Sequence, residues 1–315
     1  MSLRIALFGQ APLAVDVLDG LVEAGHQVVA VYAPPDSGRP DALAERAEAL
    51  GLELFRRRYF RRKDGGPIAA ALEDYAGLDA ELNVLASMTS FLPTEITDAP
   101  VYRSVCYHPS LLPRYRGGNA LQWQIIEGER ETGVTVFVPD AGTDTGPVVV
   151  QKGGATIDPD DTTGSLFFKK LYPLGVQAVL EAVAQVDAGT AAPRAQDESQ
   201  ASHQGLVDDA AAAIDLESPA ERVDRRVRGC DPQPGAWLRF RGEPLRLYDA
   251  ALEPEPGPNE SEPGTVLDIA DGALRIALRG GVLRVGRVRA DAGKEKAAEF
   301  ARRSGLASGE RLSSA

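Results

Sequence analysis

Residues 3–32 read LRIALFGQAPLAVDVLDGLVEAGHQVVAVY, and this stretch decides the fold class. Residues 3–8 form a compact apolar run typical of a strand, residues 14–24 carry apolar side chains at helical spacing, and residues 27–32 are again β-rich. Two strands joined by a helix form a βαβ unit, which requires a parallel sheet with a right-handed crossover. The stretch therefore predicts an α/β fold.

The same alternation continues along the chain. We expect helices at residues 41–50 and 67–75, and strands at residues 53–55 and 82–86. Ligands of parallel sheets bind beyond the carboxyl ends of the strands, so the loops at those ends should line one crevice. These loops comprise residues 9–10, 87–93 and 108–113.

The chain changes character after a helix that we expect at residues 162–187. The residues that follow, as far as 203, are rich in Ala, Gly, Pro, Gln and Ser, a composition typical of a linker. Beyond them, short β-rich segments separated by Gly and Pro favour a small antiparallel barrel. The expected elements are a helix at 219–228, a loop at 253–263, and strands at 236–240, 245–248, 264–269, 274–278 and 282–288.

The chain length predicts more than one domain. A chain of 315 residues exceeds the usual size of one hydrophobic core, and its 43% apolar and 25% charged residues are ordinary for a globular protein. We therefore expect a domain at residues 1–187, a linker at 188–205 and a second domain at 206–315.

The net charge disfavours nucleic acid as a partner. With 34 basic and 46 acidic residues the formal charge is −12, and such a surface repels phosphate backbones unless its basic residues gather on one face. A basic run does occur at residues 56–63, with Tyr59 and Phe60 inside it. A charge run is usually a solvated face, and we favour that interpretation over an RNA contact.

The cysteines and histidines give no framework for disulfides or metals. Cys106 and Cys230 are too few for either, and the 3 histidines show no ligand spacing. The sequence also has no segment of signal-peptide form and no run of about 18 apolar residues. We therefore expect a cytoplasmic protein that binds no metal and is neither exported nor membrane-spanning.

The most informative segment spans residues 106–147 and reads CYHPSLLPRYRGGNALQWQIIEGERETGVTVFVPDAGTDTGP. It resembles the signature of the formyltransferase superfamily, in which His-Pro-Ser-Leu-Leu-Pro, here residues 108–113, precedes Asp-Thr-Gly, here residues 144–146. Many fixed positions at fixed spacing make this a specific signal. The match continues through Arg114, Arg116, Gly117, Trp123, Gly128 and residues 132–134.

The resemblance covers almost the whole chain. Within the superfamily, residues 9–10, 80–85 and 107–109 look most like the hydrolase domain at the amino end of 10-formyltetrahydrofolate dehydrogenase. The carboxy-terminal barrel domain of the superfamily is matched by residues 218–221, 228–229, 234–237 and 263–266. The resemblance implies a Rossmann-like folate-binding domain, a small OB-like β-barrel after it, and 10-formyltetrahydrofolate as the formyl donor.

His108 and Asp144 are the expected catalytic pair. Moving a formyl group requires attack on a carbonyl carbon, stabilisation of an oxyanion and protonation of the departing N10 nitrogen. Asp144 can take a proton from water or an amine, while His108 can hydrogen-bond the oxyanion or shuttle a proton. A satisfied buried histidine and an Asp turn are the alternatives. The ligand edge before Pro109 and the Gly-rich loop around Asp144 favour catalysis.

Amine-formylating members of the superfamily look to have the pattern Asn-x-His at this point, and here Cys106 stands in place of the Asn. A thiol is a weak donor, and losing such a donor typically costs about 10² to 10³ in rate. The hydrolase domain that the chain resembles has an apolar residue there, so this position favours hydrolysis. Because Cys106 and His108 lie on the same face of a strand, a covalent formyl carrier is a second hypothesis, behind a structural cysteine.

The resemblance implies that folate binds between two loops, residues 87–93 and 139–144. Backbone groups of these loops would read the pterin edge, and Arg114 would pair with the carboxylate tail. Core packing is the alternative for each apolar side chain. The expected apolar slot consists of Leu85, Met88, Phe91, Leu92 and Val138, and the expected polar contacts come from Thr89, Ser90, Asp140 and Gly142.

Hydrolysis to tetrahydrofolate and formate is slightly preferred over transfer to a small amine. The first alternative is methionyl-tRNA formyltransferase. Members of that family look like chains that carry a basic insertion after the second strand. Here residues 33–43 are short and contain only Arg39 as a basic residue, which disfavours tRNA. A non-catalytic folate-binding module is the alternative from another class, and it would not need His108 and Asp144.

Overall fold

The computed structural model describes residues 2–253, 261–291 and 293–315, and most of the loop expected at 253–263 lies outside them. The first elements are β1 (Arg4–Gly9), α1 (Leu13–Glu23), β2 (Gln27–Ala33), α2 (Ala42–Ala49), β3 (Leu54–Arg56), α3 (Ala69–Tyr75), β4 (Leu82–Ala86), α4 (Thr94–Thr97), β5 (Ser104–His108), β6 (Arg116–Gly117), α5 (Ala120–Glu127), β7 (Glu131–Phe137), β8 (Val148–Thr156), α6 (Thr163–Leu166) and α7 (Tyr172–Asp187). The later elements are β9 (His203–Gln204), α8 (Ala220–Gly229), β10 (Ala236–Phe240), β11 (Glu243–Glu253), β12 (Val266–Ala270), β13 (Ala273–Leu278), β14 (Gly281–Arg289), β15 (Glu295–Lys296) and α9 (Ala297–Ser304). Among the described residues, no helix combines the length and the apolar character that crossing a membrane requires.

A mostly parallel sheet organises the first compact unit, which comprises Met1–Arg116, Thr132–Ala155 and Lys169–His203. Its strand order is β3-β2-β1-β4-β5-β7-β8, with parallel pairing from β3 to β5 and antiparallel pairing of β5 with β7. The predicted βαβ unit is confirmed, and the fold is Rossmann-like. The strand order reverses beside β1, because the chain runs outward to β3 and then returns to β4. Ligands of such sheets bind at the carboxyl ends of the strands around this point.

Aromatic side chains fill the space beside β1 and β2. Phe8 and Tyr32 stack with ring centroids 4.2 Å apart, and Phe55 continues the stack at 4.9 Å from Tyr32. Phe60 meets Phe8 edge-on at 5.7 Å and is buried, although it belongs to the basic run at residues 56–63. Such aromatic pairs add about 0.5–1.5 kcal/mol each beyond the area they bury. The loop after β3 is therefore anchored to the sheet at the carboxyl edge, where parallel sheets generally bind ligands.

An antiparallel sheet organises the second compact unit, which comprises Gly117–Glu131, Thr156–Phe168 and Gln204–Ala315. Its strand order is β10-β11-β14-β13-β12, and β15 pairs with β14. The expected run of antiparallel strands is confirmed, although β11 is longer than expected and α9 was not anticipated. The OB-like character and the domain boundaries at 187 and 205 stay predictions.

Candidate active site

His108 is the last residue of β5 and lies at the carboxyl edge of the sheet, where it is 6% exposed. Its Nε2 donates a hydrogen bond to the carbonyl oxygen of Tyr115 at 2.7 Å, and its Nδ1 lies 3.5 Å from Oδ2 of Asp144. A carbonyl can only accept, so Nε2 carries the hydrogen in the neutral ring and Nδ1 keeps its lone pair. The basic nitrogen therefore faces the carboxylate, and the structure brings the two predicted catalytic residues together.

Burial lowers the pKa of His108, because the imidazolium form loses its hydration. The Asp144 carboxylate opposes this shift, and so does the Tyr115 carbonyl, since both favour the charged ring. Burial therefore favours the neutral imidazole, which can accept a proton at Nδ1. A distance of 3.5 Å lies at the limit of hydrogen bonding, so Asp144 can stabilise a proton on Nδ1 when one arrives there.

Asp144 lies in a tight loop between β7 and β8. Its φ is 56°, in the left-handed region that side chains other than those of Asn and Asp seldom adopt. Gly146 follows because a Cβ there would lie 1.8 Å from the carbonyl oxygen of Val138. The loop thus depends on one residue without a side chain and on one residue that tolerates positive φ.

The predicted folate contacts Asp140 and Gly142 build this same loop. Oδ1 of Asp140 accepts hydrogen bonds from the N–H of Gly142 at 3.0 Å and from Oγ1 of Thr145 at 2.6 Å. The Asp turn considered for Asp144 is therefore made by Asp140, four residues earlier. Asp144 keeps its carboxylate directed at His108.

The His-Pro-Ser-Leu-Leu-Pro loop is fixed by a buried hydroxyl from β7. Oγ1 of Thr135 donates to the carbonyl of Ser110 at 2.7 Å and accepts from the N–H of Leu112 at 3.1 Å. The side chain of Gln151 on β8 donates to Thr135 Oγ1 at 3.0 Å and to the Leu112 carbonyl at 2.9 Å. Ser110 Oγ donates to the Arg114 carbonyl at 2.7 Å, which adds a further anchor within the loop.

Gln196 is a site residue that the sequence did not reveal, because the segment around it has the composition of a linker. Its Nε2 donates to the carbonyl oxygens of Asp144 at 2.8 Å and Gly146 at 2.7 Å. Its Oε1 accepts from Nε and Nη2 of Arg116 at 3.1 and 2.8 Å. Arg116 is buried and also pairs with both carboxylate oxygens of Glu198, at 2.8 and 2.6 Å. No local pattern would have identified this contact.

Ser202 ties the same segment to the loop that carries the partner of His108. Its Oγ accepts from the N–H of Tyr115 at 2.8 Å, and its carbonyl accepts from the N–H of Arg116 at 2.9 Å. Its own N–H donates to the Pro113 carbonyl at 3.1 Å. The backbone at Tyr115, whose carbonyl receives the His108 ring hydrogen, is thereby held from both sides.

Cys106 lies inside the sheet between β4 and β7, opposite Leu85 and Phe137. Burial raises the pKa of the Cys106 thiol, and the Asp144 carboxylate raises it further. The thiol is therefore protonated at neutral pH, which disfavours the covalent carrier hypothesis and favours a packing role. In the ranges that the structure describes, no group of three His, Cys, Asp or Glu side chains could hold a metal ion.

The predicted apolar slot divides into core residues and surface residues. Leu85 and Leu92 are buried and belong to the aromatic core beside β1, so core packing explains them. Met88 and Val138 are half-buried. Phe91 is 61% exposed, which leaves its ring available to a ligand. Met88, Phe91 and Val138 are therefore accessible at the surface of the predicted slot, whereas Leu85 and Leu92 belong to the core.

A cavity of about 560 Å³ lies at the carboxyl ends of β1, β2 and β4. The predicted contacts Met88, Thr89 and Ser90 belong to its wall, and Ser90 Oγ donates to the Arg58 carbonyl at 2.6 Å. The remaining wall is formed by Gly9, Gln10, residues 32–37, residues 57–60 and Ser87. This is the position at which the strand order predicts a ligand.

Three of the six basic side chains in the run at residues 56–63 lie beside carboxylates. Arg56 lies 3.5 Å from Asp41, Arg62 lies 3.3 Å from Asp64, and Arg57 pairs closely with Asp74. Arg58 stacks over the exposed Tyr59 ring at 5.2 Å, and Arg114 stacks likewise over Tyr115 at 5.4 Å. These pairs fit the solvated-face interpretation.

Known proteins resemble the chain over nearly its full length. It is 38% identical to mitochondrial 10-formyltetrahydrofolate dehydrogenase of Mus musculus over 252 residues, which cover 80% of this chain and 27% of that protein. It therefore spans little more than a quarter of that relative. Methionyl-tRNA formyltransferase of Roseobacter denitrificans is 34% identical, and the match covers 98% of both chains.

Solved structures share the fold. HypX from Aquifex aeolicus in complex with tetrahydrofolic acid has a TM-score of 0.70 at 22% identity, covering 96% of this chain and 47% of that chain. The N-formyltransferase from Helicobacter canadensis has a TM-score of 0.66 at 17% identity, covering 90% and 98%. Residues 3–183 match the formyl transferase family, and residues 207–305 match its C-terminal domain. With the His108–Asp144 pair at the edge of its Rossmann-like sheet, the chain belongs to the formyl transferase family of enzymes.

Proposed function

We propose that this chain removes the formyl group from N10 of 10-formyltetrahydrofolate, with water as the acceptor and with tetrahydrofolate and formate as products. The observation that carries the proposal is the pair formed by buried His108 and half-buried Asp144, with Nδ1 3.5 Å from the carboxylate. The donor is supported by similarity to a dehydrogenase named for this folate and to a structure that holds tetrahydrofolic acid.

The pair can carry the protons of this reaction. A water oxygen attacks the formyl carbon while Asp144 takes one of its protons, and a tetrahedral oxyanion forms. Nδ1 of His108 accepts that proton from Asp144 and then donates it to the N10 nitrogen as the bond from carbon to N10 breaks, while Nε2 keeps its own hydrogen. The neutral ring suits this relay because Nδ1 is free to accept, while the Tyr115 carbonyl fixes the other nitrogen. Each proton-transfer role is worth about 10² to 10⁴ in rate.

We propose that folate binds along residues 87–93, opposite the loop that carries Asp144. Met88, Thr89 and Ser90 line the cavity of about 560 Å³, and the exposed Phe91 ring supplies apolar area. Arg114 is exposed and is the proposed partner of the carboxylate tail.

Cys106 supports water rather than an amine as the acceptor. Sγ lies 3.8 Å from the carbonyl of Tyr107 and is a weak donor, so the side chain differs from the Asn that amine-formylating relatives look to have at this position. Hydrolysis asks less of the protein, since water needs no binding pocket of its own. A small amine remains the second acceptor on the same scaffold.

Methionyl-tRNA formyltransferase is a second candidate function, because a protein of that name matches 98% of this chain. The charge of −12 and the ion pairs within the basic run count against a tRNA surface. Filter binding with methionyl-tRNA over a salt series separates the candidates. Salt-dependent binding together with formylation of the tRNA would replace our proposal.

The proposed reaction is tested by incubating the protein with 10-formyltetrahydrofolate and measuring formate and tetrahydrofolate, with and without added amines. We expect both products without an amine, and a loss of about 10²-fold or more in His108→Asn and Asp144→Asn. Gln200→Ala, on an exposed side chain, is the control and should match the wild type. Tight folate binding without release of either product would instead identify a non-catalytic folate-binding module.

A further inference from the structure

We infer that Gln196 is a positioning residue that holds the Asp144 loop in its reactive geometry, with Arg116 as the group that orients it. The inference rests on the proposed function for its catalytic meaning and on the hydrogen-bond geometry for its structural one. Gln196 lies in the interval between residues 183 and 207, which neither family match includes.

Both ends of the Gln196 amide are committed. The NH₂ group has two hydrogens, and these meet the carbonyl oxygens of Asp144 and Gly146. The amide oxygen receives two N–H groups from Arg116. Turning the amide over would set its oxygen against two carbonyls and its hydrogens against a guanidinium. Only one orientation therefore satisfies the site.

Arg116 is itself fixed, which makes it a reliable support for Gln196. It is 4% exposed, and a buried guanidinium requires partners for its charge. Glu198 provides two charge-assisted hydrogen bonds and, more than any other group, raises the pKa of Arg116. The carboxylates of Asp140 and Asp144 act in the same direction. The guanidinium thus carries a positive charge beside the loop at all working pH values.

The Asp144 loop needs such support from outside. Asp144 adopts a φ of 56°, and a residue in this sparsely populated region stays there only when its surroundings hold it. Gln196 binds the carbonyls of Asp144 and Gly146, so it fixes the peptide unit that follows Asp144 and the one that follows Gly146. The distance from the carboxylate to His108 therefore depends on Gln196.

The same segment fixes the histidine half of the pair. Ser202 lies six residues after Gln196 and binds the backbone of Tyr115, whose carbonyl receives the His108 ring hydrogen. Gln196 and Ser202 consequently hold both loops, one through Asp144 and the other through Tyr115. Neither half can move without breaking hydrogen bonds to this segment.

Two substitutions separate positioning from simple packing. Gln196→Glu keeps an oxygen for Arg116 but loses both donors, so it should fold while releasing the Asp144 loop. Gln196→Met keeps length and neutrality but loses every hydrogen bond. We expect kcat to fall about 10- to 100-fold in both variants, with the KM for folate changed less than about threefold. Gln200→Ala is the matched control in the same segment, and thermal melting reports folding.

Wild-type kcat in Gln196→Glu would overturn the inference, because Arg116 pairing alone would then suffice. A raised KM for folate with an unchanged kcat would also overturn it. A readout independent of turnover is the NMR titration of His108 in Gln196→Met, which adds no charge. We expect the pKa of His108 to fall relative to the wild type, because a displaced Asp144 no longer favours the imidazolium. An unchanged titration refutes positioning, whereas absence of turnover in the wild type refutes only the proposed function.

Discussion

Replacing Thr135 by Val should destabilise the His-Pro-Ser-Leu-Leu-Pro loop, although the two side chains have nearly the same volume. Thr135 is fully buried, and its hydroxyl bonds the Ser110 carbonyl and the Leu112 N–H. Valine has nearly the same shape but no hydroxyl, so the Ser110 carbonyl and the Leu112 N–H each lose a buried hydrogen bond. The exposed Gln151 amide also loses its bond to Thr135 but keeps the one to the Leu112 carbonyl. At about 1–3 kcal/mol each, the free energy of unfolding should fall by about 2–6 kcal/mol.

Urea unfolding followed by circular dichroism measures this loss, provided that the slope with denaturant stays constant. Thr190→Val is the matched control, since the Thr190 side chain is exposed and its hydroxyl donates a long hydrogen bond of 3.3 Å to the Gln185 carbonyl. This substitution should change stability by less than about 0.5 kcal/mol. We also expect a lower kcat for formate release in Thr135→Val. If Thr135→Val is as stable as Thr190→Val, the hydroxyl does not hold the loop and our reasoning is wrong.

Three further predictions concern the site itself. The rate of formate release should decrease toward acid pH, because a protonated His108 ring cannot relay a proton. The midpoint should lie below the ordinary imidazole pKa of 6.5, since burial lowers the pKa of His108. A midpoint above 7 in a pH–rate profile would contradict this. Gly146→Ala should lower kcat by about 10²-fold, since the new Cβ would lie 1.8 Å from the Val138 carbonyl oxygen. Gly205→Ala should not lower it, because a Cβ at Gly205 meets no described atom within 4 Å outside its chain neighbours. Equal rates in the two variants would refute the steric argument. Cys106→Ala should keep turnover within about threefold by the same assay, because the thiol is protonated and packs in the sheet, and Cys106→Asn should gain amine formylation; a dead Ala variant would restore the carrier hypothesis.

The sheet was predictable from the sequence because its information is local. Apolar runs of strand length separated by helical spacing predict parallel pairing, and the carboxyl ends of the strands then predict the ligand edge. His108 was found because it ends a strand, and Asp144 because it stands in a recognisable motif. Both depend on neighbours in sequence.

Gln196 could not be found in this way, because its partners lie far along the chain and its surroundings have no periodicity. The loop 139–144 gives a second example. Its glycine and aspartate residues predicted a turn, but only coordinates distinguish Asp140, which makes the turn, from Asp144, which faces His108. Residues that meet through long-range hydrogen bonds leave no mark in local composition.

The segment 196–202 limits where the catalytic unit can be cut or transplanted. A fragment ending at residue 187 would contain His108 and Asp144 and every strand of the parallel sheet, yet it would lack Gln196 and Ser202. Such a fragment should bind folate, but its His108 and Asp144 loops should be poorly organised for reaction. In a chimaera, the junction belongs after β9, which ends at Gln204 and pairs with β6.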